Sequence, residues 1–422
     1  MKHLFILTSF VLLLSCRKTY EAPIPDLAWD SFNSPSAIPL KNMQGQKMEA
    51  IYAIADGSSQ FGTEAAVKWT YTATGSDTTY HLSFFCEKEV SYFICEGKRV
   101  DSSILLNGYW RRMIGTETGR VRLTITKEEG GAKILNALPL SASDNITITG
   151  VYGEGEAVPD LPIQLQKTRP LFNATPFEII AHRGGGRTSD ILPASENSVE
   201  IIRLASRFGA TGVEIDVRIT SDGVPILYHD ATLNERLIQK NGMLGPIENY
   251  SYAQLNALVR LINGERIPRL QDALNTIVYS TPLRYVWLDT KYVGSLQKVR
   301  DLQLEFLQKA TAIGRKVNIA IGLPDKASLE SFKKLPNYQF IPSVNELTRE
   351  EVKEVNSPIW APRFTLGLQN AEVAAVQAEG RKVFVWTLDL PNSINDFLTN
   401  GRFDGILSNY PSAVAYNYYA KQ

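Results

Sequence analysis

From about residue 177 to the end, the chain alternates short apolar strands with amphipathic helical stretches, and no other feature constrains its fold as strongly. EIIAHRG runs into ENSVEIIRLASRFG, then GVEIDVRIT, PILYHD, YVWLDTK and SLQKVRDLQLEFLQKATAIG, and the pattern continues through VNIAIGL and KVFVWTLD to DGILSN. In ENSVEIIRLASRFG, Val199, Ile202, Leu204 and Ala205 form a stripe at helical spacing, and Gly209 stops the helix. Strands joined by helices run parallel, because each crossover returns the chain in the same direction. About 240 residues of such units suit an α/β TIM barrel. Nine strands are expected where eight are needed, so one of YQFIPSV and IWAPRF is assigned to a short edge or loop element.

Residues 31–166 follow a different grammar. EAIYAI, AAVKWTYTA, TYHLSFFC, SYFICEG, SILLNGYWRR, GRVRLTI and NITITGVY are short strands punctuated by turns such as Asp56-Gly57 and Gly75-Ser76. Val121, Leu123 and Ile125 alternate with Arg120, Arg122 and Thr124, which gives one buried and one wetter face. This part is expected to be an all-β barrel or sandwich, and LLNGYWRR…TGRVRLTI loosely resembles lipocalin-like barrels. Such a domain would bind a lipid or glycan, or act as a spacer. His81 reads as structural. Cys86 and Cys95, out of register across a hairpin, read as buried thiols rather than a disulfide. LQKTRPLFNATP, residues 165–176, is the expected linker.

The first sixteen residues, MKHLFILTSFVLLLSC, combine a positive start at Lys2 with an apolar run too short to span a bilayer. Leu13-Leu14-Ser15-Cys16 resembles the bacterial lipobox, which implies a signal peptide over 1–16, lipidation of Cys16 and a polar tether over 17–30. The expected location is therefore the cell envelope of a bacterium. Arg17-Lys18-Thr19-Tyr20 carries no acidic cluster, which favours the outer membrane, facing the periplasm. Lys and Arg together number 44 and Asp and Glu 44, and this zero formal charge argues against a nucleic-acid partner.

The active site of a TIM barrel lies at the carboxyl ends of its strands. The strand ends here carry His182-Arg183, then Glu214 and Asp216, then His229-Asp230, then Asp289 and Lys291, and later Trp386. Spacing of i, i+2 puts Glu214 with Asp216, and Asp289 with Lys291, on one strand face. Carboxylates gathered inside a barrel need a cation, and three oxygen-donor residues suit a hard divalent ion, Mg²⁺ or Ca²⁺. Arg183 and Lys291 supply positive charge for a phosphate, and His182 and His229 fit general acid and base. The three glycines of HRGGG would let backbone approach a phosphate. Together these residues describe metal-assisted cleavage of a phosphate ester.

HRG (182–184), ENS (196–198), EIDV with SDG, HD (229–230), DTK (289–291), VWTLD (385–389) and DGILSN (404–409) resemble, in this order, the glycerophosphodiester phosphodiesterase family. The resemblance covers about 177–420 and implies a TIM barrel, as a domain over 177–422, with an insertion after its third strand, here 232–268. It implies Glu214, Asp216 and Asp289 as ligands of one divalent cation, and His182 and His229 as the acid–base pair. It also implies Arg183 and Lys291 on the phosphate, Glu196 as a carboxylate close to the metal, and Trp386 beside glycerol. The activity implied is hydrolysis of a small-molecule glycerophosphodiester to glycerol phosphate and an alcohol through a cyclic phosphate. The chain departs from the family pattern in having Asp289 where Glu is usual and Ser195 where Pro is usual. Leu388 and Asn409 stand where Asn and Asp are usual. Two rival readings are phospholipase D-like action on lysophospholipids, favoured by the anchor, and a tethered phosphodiester-binding protein without turnover, for which only Asp289 argues.

Overall fold

The computed structural model describes residues 22–136, 138, 144–173 and 176–421. The signal segment 1–16, with Cys16, and residues 17–21 of the expected tether lie outside the described residues.

Eight antiparallel strands form the first barrel: β1 (Ala50–Ile54), β2 (Glu64–Thr74), β3 (Asp77–Cys86), β4 (Tyr92–Val100), β5 (Ser103–Arg111), β6 (Thr118–Ile125), β7 (Thr147–Tyr152) and β8 (Leu161–Arg169). Each pairs with the next and β1 pairs with β8, so the meander closes on itself without a free edge. Side chains fill the interior, among them Tyr52, Phe61, Phe84, Phe93, Trp110, Val121 and Leu165. Val121, Leu123 and Ile125 point into it, while Arg120, Arg122 and Thr124 are only partly covered. Cys86 and Cys95 are free, buried thiols, with their pKa pushed up by that burial.

The second barrel has eight parallel strands: β9 (Glu178–Ala181), β10 (Gly212–Ile219), β11 (Tyr285–Thr290), β12 (Asn318–Leu323), β13 (Ser343–Asn345), β14 (Ile359–Trp360), β15 (Lys382–Val385) and β16 (Gly405–Ser408). Pairing of β9 with both β10 and β16 closes the ring. Two sequence expectations change here. YQFIPSV and IWAPRF both contribute staves, β13 and β14. The element outside the barrel is Pro225–Leu227, which pairs antiparallel with β10 because the Asp222-Gly223 turn folds the chain straight back. The insertion therefore follows the second barrel strand. It has its own small apolar core, built around Ile226, Leu237, Ile247 and Ile267.

The barrels share a core. Phe85, Ile94 and Tyr109 alternate with inward-facing Phe84, Phe93, Cys95 and Trp110, and they join the cluster that covers the second barrel. This explains why FFC (84–86) and YFIC (92–95) are unbroken apolar runs: those strands are buried on both faces. β8 runs on to Arg169, so the connection is shorter than the 165–176 expected. From Ala22 the expected tether is also docked. Asn107 Nδ2 donates to the Leu27 carbonyl at 2.7 Å, Arg122 Nη2 to the Ala28 carbonyl at 2.7 Å, and Phe32 is buried. Arg111, buried at the end of β5, donates from Nη2 to the carbonyls of Asp190 (3.1 Å) and Ile191 (2.6 Å), in the loop after β9. The first barrel thus braces a loop of the site described below.

His81 on β3 is buried at this interface, and neither ring nitrogen has a hydrogen-bond partner. Burial, with Arg207 nearby, pushes its pKa down to about 3. An unfolded chain takes up the proton near pH 6.5, so between pH 6.5 and 3 it binds more protons than the folded one, and stability falls as pH falls. Down to pH 4 this group alone costs about 3 kcal/mol. His81→Leu is expected to reduce the drop in melting temperature between pH 7 and pH 4, measured against the parent chain. An unchanged drop would show that His81 contributes nothing to acid sensitivity.

Candidate active site

The inward positions of β10 and β11 stack in register: Gly212 against Tyr285, Glu214 against Trp287, and Asp216 against Asp289. At the bottom Gly212 is obligatory, since a Cβ there would lie 2.6 Å from Tyr285 Cβ. Ile180, Trp287, Phe384 and Leu407 fill the apolar middle. The top layer is acidic. Glu214, Asp216 and Asp289 are all buried, each offering an oxygen within 4.8 Å of the others. Two like charges opposed across neighbouring parallel strands in an apolar barrel repel strongly.

Each carboxylate is hydrogen-bonded or ion-paired at short range through one oxygen, and its other oxygen makes no hydrogen bond. Glu214 Oε2 accepts the Arg183 N–H at 2.8 Å, Asp216 Oδ2 accepts Asn197 Nδ2 at 2.7 Å, and Asp289 Oδ2 meets Lys291 Nζ at 2.5 Å. Glu214 Oε1, Asp216 Oδ1 and Asp289 Oδ1 are buried without a hydrogen-bond partner. The trio brings carboxylate oxygens within 4.8 Å of one another and holds three buried oxygens without a hydrogen-bond partner, which a hard divalent cation would satisfy, so the residues fit such an ion. Asp289, though shorter than glutamate, still brings a carboxylate oxygen into the group. Burial and the two neighbouring carboxylates push the Glu214 pKa well up. Burial also raises Asp216, but Lys291 and the nearby cations outweigh it and hold Asp216 low. Lys291 lies 3.5 Å from Asp216 Oδ1 as well, and its carboxylate neighbours raise its pKa against the pull of burial.

ENS folds as three separate devices. Ser198 Oγ caps the helix Val199–Ala205 by accepting the Ile201 N–H. Asn197 exchanges hydrogen bonds with Asp216, its Oδ1 accepting the Asp216 N–H at 3.0 Å. Glu196 stands outside the acidic trio. Its oxygens take Arg183 Nη1 (2.8 Å), the Thr188 N–H (2.7 Å) and both terminal nitrogens of Arg236 (3.2 Å). Beside it, Ser195 donates both its N–H and its hydroxyl to Glu265, at 2.9 and 2.7 Å, which ties the loop to the insertion in a way proline, lacking an N–H, could not. The glycines after Arg183 have a packing role: a Cβ on Gly185 would lie 2.5 Å from Ile201 Cγ1.

Both histidines are held through Nδ1. Asn409 donates its Nδ2 to Asp389 Oδ2 at 2.7 Å, which turns its Oδ1 toward His182 Nδ1, also at 2.7 Å. His182 Nδ1 therefore carries the proton, and Nε2, 3.7 Å from Glu214 Oε2, is the lone-pair nitrogen. Burial and the Arg183 charge push the His182 pKa down to about 4. His229 Nδ1 lies 2.7 Å from Asp230 Oδ1; Asn234 donates to Oδ2 of that carboxylate, and Arg236 to both of its oxygens. Burial pushes Asp230 up, but these hydrogen bonds hold it well below the usual carboxylate range. Trp386, just beyond β15, donates Nε1 to the Ala361 carbonyl at 2.8 Å, and the Arg363 guanidinium sits over its ring at 4.6 Å.

Sequence reasoning missed Arg236, Asp389 and Glu346. Arg236 lies in the insertion, where no periodicity marked it. Asp389 sits inside VWTLD, next to the departure noted at Leu388. Glu346, just past β13, is pushed well up by burial and by the Asp289 charge, so it belongs to the same acidic environment. Because Arg236 joins Glu196 to Asp230, Arg236→Met is expected to lower activity by about ten- to a hundredfold. Arg236→Lys should recover little of this, since lysine lacks the planar fork. Full activity in both variants would remove Arg236 from the account.

A closed parallel barrel with carboxylates, cations and imidazoles at the carboxyl ends of its strands places the chain among (β/α)₈ proteins with a polar site in the usual position. The model of the Glycerophosphoryl diester phosphodiesterase family matches residues 182–413, more than half of the chain, and the chain belongs to this family. Glycerophosphodiester phosphodiesterase 1 of Rattus norvegicus is 43% identical over 100 residues, which are 22% of this chain and 28% of that protein. Glycerophosphocholine phosphodiesterase GDE1 of Eremothecium gossypii is 38% identical over 98 residues, 22% of this chain and 7% of that one. The matched stretches thus cover less than a third of either relative. Among solved structures, a glycerophosphodiester phosphodiesterase from Parabacteroides distasonis is 23% identical, covering 57% of this chain and 96% of that one, with a TM-score of 0.45.

Proposed function

We propose that the protein is a membrane-anchored phosphodiesterase that hydrolyses glycerophosphodiesters to a glycerol phosphate and an alcohol. The observation that carries this reading is the cluster of three buried carboxylates, each with an oxygen that makes no hydrogen bond, flanked by Lys291 and two histidines each held through Nδ1. Glu214, Asp216 and Asp289 would hold Mg²⁺ or Ca²⁺, which when bound neutralises phosphate charge as a Lewis acid. Arg183 and Lys291 add positive charge around the phosphate, and Trp386 lines the glycerol side. His182 Nε2 takes the proton of the glycerol 2-hydroxyl as its oxygen attacks phosphorus. His229, backed by Asp230, gives a proton to the departing alcohol oxygen. The resulting cyclic phosphate is reopened by water with the proton transfers reversed. Glu196 acts through Arg183 and Arg236, which it orients.

The lipobox reading adds lipidation at Cys16 and a place in the bacterial envelope, facing the periplasm. The first barrel, filled by its own side chains and bracing the 190–191 loop through Arg111, serves as a support for the site. The test is a panel of deacylated and lysophospholipid substrates assayed with Mg²⁺, Ca²⁺ and chelator. Metal-dependent alcohol release from the deacylated substrates is expected. Release only from acylated ones would move the reading to a phospholipase D-like enzyme, and no release with any metal would leave a binding protein.

A further inference from the structure

We propose that the mouth of the second barrel is the face with which the protein lies against a lipid surface. The loops after β11, β14 and β15 carry Val293, Phe364, Leu366 and Leu390 at the rim of the site, between 39% and 73% exposed. Large apolar side chains gathered on one face of a water-soluble domain mark an interaction surface. The first barrel extends that face. Its turn after β5 is tied to residues 190 and 191 by Arg111, and it exposes Ile114. The turn after β7, which exposes Val158, is joined to β6 by the Gly155 N–H on the Thr118 carbonyl and by Arg120 with Glu156. Both tips therefore stand on the catalytic side.

The chain enters the fold at this same place, and that identifies the occupant. The Asp26 N–H donates to Glu156 Oε2 at 3.2 Å, and from there the chain is docked along the first barrel. Ala22, the first described residue, is six residues from Cys16, a leash of at most about 20 Å when fully extended. Acyl chains on Cys16 would hold this end of the molecule, and with it the mouth, at the membrane. Among the described residues no helix is long and apolar enough to cross a bilayer, so the contact is peripheral. The exposed rim side chains are apolar, so the contact is apolar and adds to the hold of the acyl chains. This inference rests on the lipobox reading, not on turnover.

The test uses the full-length, lipidated protein with single substitutions Leu366→Cys, Leu390→Cys and Val158→Cys. Phe340→Cys, just before β13 at the opposite end of the barrel, is the control. Each is labelled with a polarity-sensitive fluorophore and mixed with phosphatidylcholine vesicles bearing brominated acyl chains. Cys86 and Cys95 are buried and stay unlabelled. Quenching several-fold stronger at 158, 366 and 390 than at 340 is expected. Equal quenching at all four positions, none at the first three, or failure to bind the vesicles would overturn the proposal. Turnover of soluble glycerophosphocholine, followed in the same samples, reports on the proposed activity separately.

Discussion

Glu214→Gln is expected to cut phosphodiester turnover by about a thousandfold or more while leaving the metal-free protein at least as heat-stable as its parent. The two halves of this result share one cause. Glu214 is buried beside Asp216 and Asp289, and both burial and those neighbours disfavour its charge. Without a cation the trio is a liability, because two of its buried carboxylates face each other across β10 and β11. Gln keeps an acceptor for the Arg183 N–H and removes one charge, so melting in chelator should be unchanged or higher. With metal, the balance reverses. A cation that binds only the folded chain raises stability by mass action, about 2.7 kcal/mol at a hundredfold excess over its Kd. The parent should therefore melt higher in Mg²⁺ or Ca²⁺ than in chelator, and the variant should lose that difference. Loss of a ligand worth several kcal/mol of transition-state charge corresponds to the thousandfold or larger drop in rate. A variant that keeps both turnover and the metal-induced shift in melting would show that the ion, if any, binds elsewhere.

How much of this was legible depended on whether a residue's neighbours in sequence are also its neighbours in space. Glu214, Asp216, Asp289 and Lys291 could be grouped because strand spacing puts i and i+2 on one face and barrel geometry gathers strand ends. PILYHD was misplaced because an apolar run looks the same whether its strand runs up or down. The direction was written in the Asp222-Gly223 turn, which sends residues 225–227 back along β10. Arg236 had no such marker, since it reaches Glu196 across 40 positions of sequence from an irregular insertion. Asn409 is instructive in another way. Its departure from the family pattern drew notice, but only the structure pairs it with Asp389, so that a carboxylate still stands behind the amide that holds His182. The apolar outer face of β3 to β5 gave no hint of what covers it, because an interface between barrels and an interior have the same composition.

The two histidines are expected to separate by leaving group. Either one replaced by alanine should lower turnover of glycerophosphocholine by about 10²–10⁴-fold, the usual worth of a positioned acid or base. A glycerol phosphodiester of p-nitrophenol changes the demand, because its phenolate departs without a proton. His229, the proton donor of the proposed route, is not called on by such a leaving group, so His229→Ala should lose much less on the p-nitrophenyl substrate. His182 faces a neutral amide oxygen through Nδ1, and burial with Arg183 pushes its pKa to about 4, so at neutral pH its Nε2 is a lone pair. In the proposed route that nitrogen takes the proton of the attacking hydroxyl whatever leaves, so His182→Ala should stay impaired on both substrates. If the leaving group rescues His182→Ala and not His229→Ala, the roles are exchanged. If it rescues neither, proton delivery to the alcohol comes from another group, and Glu346, with its pKa pushed well up by burial and Asp289, is the next residue to replace.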